Sequence, residues 1–151
     1  MAEHGITPYL CVNDGAAAID FYRRAFGATQ LMRLTDANGR IGHADLVVAG
    51  AALMLSDEHP EKGVLSPTTL GGSGVALHLV VDDVDALYAR AVAEGATGDR
   101  SPEDQPHGER MGVLTDPFGH RWFLGTPVET VSTHELRTRY EQSGFATTTD
   151  A

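Results

Sequence analysis

The chain has 151 residues, 42% hydrophobic and 21% charged, and its 21 acidic side chains outnumber 11 basic ones for a formal charge of −10. That excess repels phosphate backbones and anionic lipid, so neither nucleic acid nor a membrane surface is an expected partner. Cys11 is the only cysteine, which excludes an internal disulfide or a cysteine zinc cluster; no apolar run reaches the roughly 18–20 residues of a membrane helix and no signal-like leader opens the sequence, so a cytoplasmic location is expected.

The first element is a strand from Ile6 to Val12. It alternates, with Leu10 and Val12 on one face and Thr7, Tyr9 and Cys11 on the other. Asn13-Asp14 then caps a helix whose apolar residues Ile19, Tyr22 and Phe26 recur at helical spacing, and Gly27 stops it. A weaker strand from Gln30 to Thr35 leads into the turn Asp36-Ala37-Asn38-Gly39. Strands Ile41 to Val48 and Ala51 to Leu55 flank a tight Ala49-Gly50 turn. The stretch from Glu58 to Gly74 is rich in proline and glycine and ends Gly71-Gly72-Ser73-Gly74. A phosphate-binding loop is excluded there, because no Lys-Ser/Thr and no helix follow.

A second copy of the pattern follows. Leu77, Leu79 and Val81 share one face of a strand and Ala76, His78 and Val80 the other; Asp82-Asp83 caps a helix carrying Val84, Leu87 and Ala91, and Glu94-Gly95 ends it. The segment Glu103 to Arg110 reads as a long polar loop. Met111 to Thr115 and His120 to Leu124 flank Asp116-Pro117-Phe118-Gly119, a strong turn signal. Ser132-Thr133-His134-Glu135 is a capping box for a short helix to about Tyr140, and Ser143 to Ala151 reads as a disordered tail. His4, His59 and His134 read as surface residues.

This internal repeat is the most informative feature of the chain. It predicts an α+β fold of two βαβββ modules, residues 1–57 and 75–128, joined by a linker at 58–74 and followed by a C-terminal helix and tail at 129–151.

Val12-Asn13-Asp14 with Ile19-Asp20-Phe21-Tyr22-Arg23-Arg24-Ala25-Phe26-Gly27 resembles the opening of modules of the vicinal-oxygen-chelate superfamily, the glyoxalase/bleomycin-resistance/dioxygenase type. Asp116-Pro117-Phe118-Gly119-His120-Arg121-Trp122 resembles their closing hairpin. His43-Ala44-Asp45-Leu46, Leu53-Met54-Leu55-Ser56-Asp57 and Leu77-His78-Leu79 resemble the PhnB-like branch. The resemblance covers Ile6 to Val128. It implies a curved mixed sheet, a half-barrel around a ligand cleft, and a homodimer that sometimes exchanges modules across the linker. It also implies four metal-ligand positions, which fall here on Thr7, Met54, Ala76 and Phe123. Two of these side chains have no donor atom, so no metal or other cofactor is expected.

Strand parity assigns the cleft lining. With the leucines packed on the helices, Thr7, Tyr9, Cys11, Met54, Val80 and Phe123 face the cleft, joined by His43, Asp45, His78 and Arg121 as polar groups. Three readings of His43, Asp45 and His78 compete: they hydrogen-bond one another and shape the pocket, they recognise or deprotonate a ligand, or they form a relocated two-His-one-carboxylate metal site. The leading functional expectation is a metal-independent small-molecule-binding protein. The alternatives are a lyase, isomerase or epimerase acting on a small carbonyl compound by His/Asp acid–base chemistry, and a metal-dependent glyoxalase or dioxygenase. Whether the protein turns anything over is left open.

Overall fold

A computed structural model describes residues 4–148. In chain order the elements are β1 (Tyr9–Val12), α1 (Gly15–Phe26), β2 (Thr29–Thr35), β3 (Ile41–Val48), β4 (Ala51–Asp57), α2 (Pro67–Leu70), β5 (Ala76–Val80), α3 (Val84–Ala93), β6 (Thr97–Asp104), β7 (Glu109–Thr115), β8 (Arg121–Pro127) and α4 (Thr133–Gln142). They form two four-stranded open sheets of the same topology, ordered β1-β4-β3-β2 and β5-β8-β7-β6. In each, the first strand runs parallel to the last and the remaining pairs are antiparallel. This is the expected glyoxalase-like α+β fold, with two open mixed sheets and a short C-terminal helix.

Local chemistry explains the helices. Asp14 and Asp83 sit in extended backbone and accept from the amides of Ala17 and Ala86, each at 3.0 Å, so both α1 and α3 start on a satisfied donor. Gly27, with φ of 67°, takes the left-handed conformation that turns the chain out of α1. Ser132 caps α4 by accepting from Glu135 N at 3.1 Å.

The core lies between the helices and one face of each sheet, and the two modules share it. Phe21, Tyr22 and Phe26 of α1 pack against Phe118 and Trp122 of the second module, with Phe26 and Trp122 rings 4.9 Å apart at 65°. Asp116 is buried within this aromatic cluster and fully engaged. It accepts from Tyr22 Oη at 2.5 Å, from Trp122 Nε1 at 2.8 Å, and from the amides of Phe118 and His120. His120 Nε2 also lies 2.9 Å from the carbonyl of Cys11. A buried carboxylate with this many donors joins the modules through polar bonds as well as apolar area.

Several expectations need correction. The polar segment Glu103 to Arg110 is not one long loop: β6 runs through Asp104 and β7 begins at Glu109. The sequence Thr97–Asp104 has little strand propensity of its own, and its place at the sheet edge, paired with β7, makes it a strand. The linker holds α2 and a 3-10 turn at Pro60–Lys62. His59 is not a surface residue, since its side chain is only 13% exposed. In the expected tail, Phe145 N donates to Tyr140 O at 2.9 Å and the two rings meet edge to face, so the chain folds back on α4; residues 149–151 lie outside the described residues. No described helix is long and apolar enough to cross a membrane.

Candidate functional site

Strand register builds the open face of the first sheet in rows. Met32, Asp45, Met54 and Tyr9 lie side by side across β2, β3, β4 and β1. Leu34, His43, Ser56 and Cys11 form the next row, because Leu34 pairs with His43 and Cys11 with Ser56. The opposite parity, Ala44, Leu46, Leu53 and Leu55, is buried against the helices.

Tyr9 and His43 sit diagonally across these rows and meet: Tyr9 Oη is 2.7 Å from His43 Nδ1, and His43 Nε2 is 3.1 Å from Asp45 Oδ1. Burial raises the Tyr9 hydroxyl above its usual range; a hydrogen bond with Ser56 opposes this and the Asp45 charge adds to it. The Asp45 carboxylate beside Nε2 can only accept, which places the His43 proton there and leaves Nδ1 to accept from the Tyr9 hydroxyl. Tyr9 also lines a cavity of about 700 Å³, together with Leu34, Gly42, Ser56, His59 and Lys62. Inside its wall, His59 Nδ1 lies 3.6 Å from Glu61 Oε1, too far for a hydrogen bond, and has no other partner among the described residues. Cys11 is half-buried, and desolvation, with Glu58 and Asp57 nearby, pushes its thiol up to about 11. It is a poor nucleophile.

The open face of the second sheet follows the same logic. His78, Phe123, Val113 and Arg100 form one row, Val80, Gly125, Met111 and Glu103 a second, and Ala76, Arg121 and Thr115 a third. The Arg121 guanidinium lies 5.6 Å from the centre of the Phe123 ring. Glu109 leans over Gly125 so that Oε1 is 2.8 Å from His78 Nε2, while Oε2 is 3.2 Å from His107 Nε2. His107 Nδ1 is in turn 3.3 Å from Tyr140 Oη of α4.

The expected site is thus divided. His43 and Asp45 come together on the first sheet with Tyr9, Cys11 and Met54 around them, whereas His78 belongs to the second sheet with Val80, Arg121 and Phe123 and takes Glu109 as its carboxylate. Thr7 is exposed and precedes β1. His43 and Asp45 lie on the first sheet and His78 on the second, so the three do not converge within this chain; among the described residues no three His, Cys, Asp or Glu side chains come together so as to hold an ion. The four positions that carry ligands in metal-dependent relatives do not fit a metal either, since Ala76 and Phe123 have no donor atom. Sequence reading missed Glu109 and His107. Extending the β7 alternation two residues back from Met111 would have put Glu109 on the open face.

Comparisons with known proteins agree with the fold. The family model of the Glyoxalase/Bleomycin resistance protein/Dioxygenase superfamily matches residues 5–124. An uncharacterized protein of Mycobacterium bovis is 43% identical over 145 residues, covering 94% of this chain and 95% of its own length. Among solved structures, TioX from Micromonospora sp. ML1 is 27% identical with a TM-score of 0.65, covering 85% of this chain and 100% of its own. An Arabidopsis thaliana gene product is 28% identical with a TM-score of 0.64, covering 82% and 98%. On the matched family model and the repeated sheet topology, the chain belongs to the glyoxalase/bleomycin resistance protein/dioxygenase superfamily.

Proposed function

We propose that this chain is a metal-independent small-molecule-binding protein of the glyoxalase/bleomycin-resistance kind, within its PhnB-like branch, acting in the cytoplasm as a homodimer. The observation that carries the reading is the Tyr9–His43 pair, 2.7 Å apart, with Tyr9 in the wall of a cavity of about 700 Å³. That volume falls in the range of about 300–1,000 Å³ usual for small-molecule sites. The cavity wall combines Leu34, Val64 and the Tyr9 ring with polar and charged groups, among them Ser56, His59, Lys62, Asp36 and Arg40. The homodimer is supported by β2, an edge strand on which Leu31 is 66% and Leu34 58% exposed, an apolar edge that a second copy would cover.

A screen of small metabolites and antibiotics by thermal shift tests the reading. Ligands that stabilise the protein are expected to lose about tenfold in affinity in Tyr9→Phe, the cost of one hydrogen bond. A ligand bound equally by wild type, Tyr9→Phe and His43→Ala would place the site elsewhere. Near one equivalent of metal in the purified protein, lost in His43→Ala, would sink the metal-free reading.

One observation favours a second reading, an acid–base enzyme acting on a small carbonyl compound. His43 meets the Tyr9 hydroxyl through Nδ1, and the Asp45 carboxylate lies 3.1 Å from Nε2, so an imidazole acting as base would have its positive charge balanced by Asp45. Turnover lost in His43→Ala with binding retained would select this reading.

A further inference from the structure

A second recess, of about 380 Å³, lies where the edge strands β1 and β5 of the two sheets meet the segment that joins the modules. Leu10 and Leu77 line it from the strands, and Leu65, Pro67, Leu70 and Val75 from the joining segment. Tyr9 is the one residue it shares with the larger cavity. No Asp, Glu, Lys or Arg side chain lines it. Its polar side chains are neutral or already engaged. Ser73 Oγ donates to the Val75 carbonyl at 3.0 Å, His120 Nε2 donates to the Cys11 carbonyl at 2.9 Å, and Tyr9 Oη meets His43. Desolvation, with Glu58 and Asp57 nearby, pushes the Cys11 thiol up to about 11, so it stays protonated at neutral pH. An ion entering this recess would lose hydration and meet no counter-charge on the wall, whereas an apolar molecule gains by leaving water.

The wall is fixed by contacts of its own. Ser66 is buried, and its amide and hydroxyl both donate to Glu58 Oε1, at 2.7 and 2.8 Å. Pro67 packs so closely on Gly119 of the second module that a Cβ there would lie 2.8 Å from the proline Cβ. A preformed wall spares a ligand the cost of ordering it. Leu70 and Val75, by contrast, are 63% and 67% exposed. Together with Tyr9 they fall far short of the about 800 Å² per partner that a stable protein interface buries, so a small molecule suits the recess better than a second copy. A cavity of roughly 150 Å³ holds benzene, and this one has room for two fused rings.

We propose that this recess is a second binding site, separate from the Tyr9–His43 cavity, for an uncharged, largely apolar molecule about the size of two fused rings. It stands on its own lining and does not depend on the reading of the larger cavity.

Naphthalenemethanol, naphthoate and naphthylmethylammonium share one ring system and differ in charge. Titration of the full-length protein with each, followed by amide NMR, tests the proposal. The alcohol is expected to shift amides of residues 65–77 saturably, and each ion to bind at least about tenfold more weakly. Leu70→Gln combined with Val75→Thr, both at exposed positions, should weaken the alcohol by roughly tenfold with the unfolding midpoint unchanged. Equal binding of the three probes, unchanged alcohol affinity in the double variant, or no response to the alcohol would overturn the proposal. Shifts confined to the surroundings of His43 and His59 would also overturn it, by assigning the alcohol to the larger cavity. Shifts of residues 65–77 with protein concentration alone would do the same, by giving the recess to a second copy. The comparison of wild type with Tyr9→Phe decides the larger cavity separately.

Discussion

Glu109 reaches His78 only because residue 125 has no side chain. A Cβ on Gly125 would lie 1.6 Å from Glu109 Oε1 and 2.3 Å from its carboxyl carbon. The Glu109 carboxylate is largely buried and sits between the rings of His78 and His107, so the missing side chain on β8 is the space through which a β7 residue crosses to β5.

Gly125→Ala is therefore expected to expel Glu109 and separate it from both histidines. Losing two hydrogen bonds to a carboxylate, partly recovered by solvation of the displaced group, predicts a destabilisation of about 1–3 kcal/mol. Urea unfolding measures the cost, and nitrogen-detected NMR of the imidazoles reports whether His78 loses its fixed tautomer. An unchanged His78 spectrum would show that Glu109 does not hold it.

Tyr22 and Asp116 provide a test in the alkaline range. Burial first, and then the Asp116 charge and hydrogen bond, push the Tyr22 hydroxyl well above its usual value of 10.0. The folded protein keeps the proton where the unfolded chain releases it. The stabilisation is thus fully present below pH ~10 and declines as pH rises beyond the unfolded value. Tyr22→Phe should cost about 1.5–3 kcal/mol at neutral pH, from one bond to a carboxylate, and its deficit against wild type should shrink above pH ~10. Urea midpoints of both proteins at pH 8 and 10.5 check the convergence.

Cys11 should be slow toward thiol reagents. With the thiol pushed up to about 11 by burial and by neighbouring Glu58 and Asp57, its thiolate fraction at pH 7.5 is lower than that of a free cysteine by roughly two orders of magnitude. Reaction with an aromatic disulfide reagent should be slowed by a comparable factor and restored in denaturant. A native rate close to that of a free thiol would contradict the assigned environment.

Arg139 fastens the C-terminal helix. It donates to both carboxylate oxygens of Glu129, to Glu135 and to the carbonyl of Pro106, while α4 itself buries no residue. Arg139→Ala is expected to speed amide exchange across Thr133–Gln142 with little change in global stability, since no residue of the helix is fully buried in the core. Exchange mass spectrometry distinguishes this local release from unfolding of the whole protein.

What the sequence determined by itself was everything carried by local periodicity. The repeat, the Asp14 and Asp83 caps, the Gly27 stop and the alternation of β1, β3 and β5 are short-range patterns. They predicted the repeated βαβββ order of elements and which residues of a strand share a face, because side-chain direction in a strand follows from parity alone. Tertiary structure decided the rest, because it depends on which distant groups meet. Pairing with β7 made a strand of Thr97–Asp104 despite its polar composition. The linker's path covered most of the His59 side chain, and the gap at Gly125 joined His78 to Glu109 instead of Asp45. A hydrogen bond between residues 31 positions apart, like that of His78 and Glu109, leaves no periodic trace in the chain; it exists only once two strands have set the distance between them.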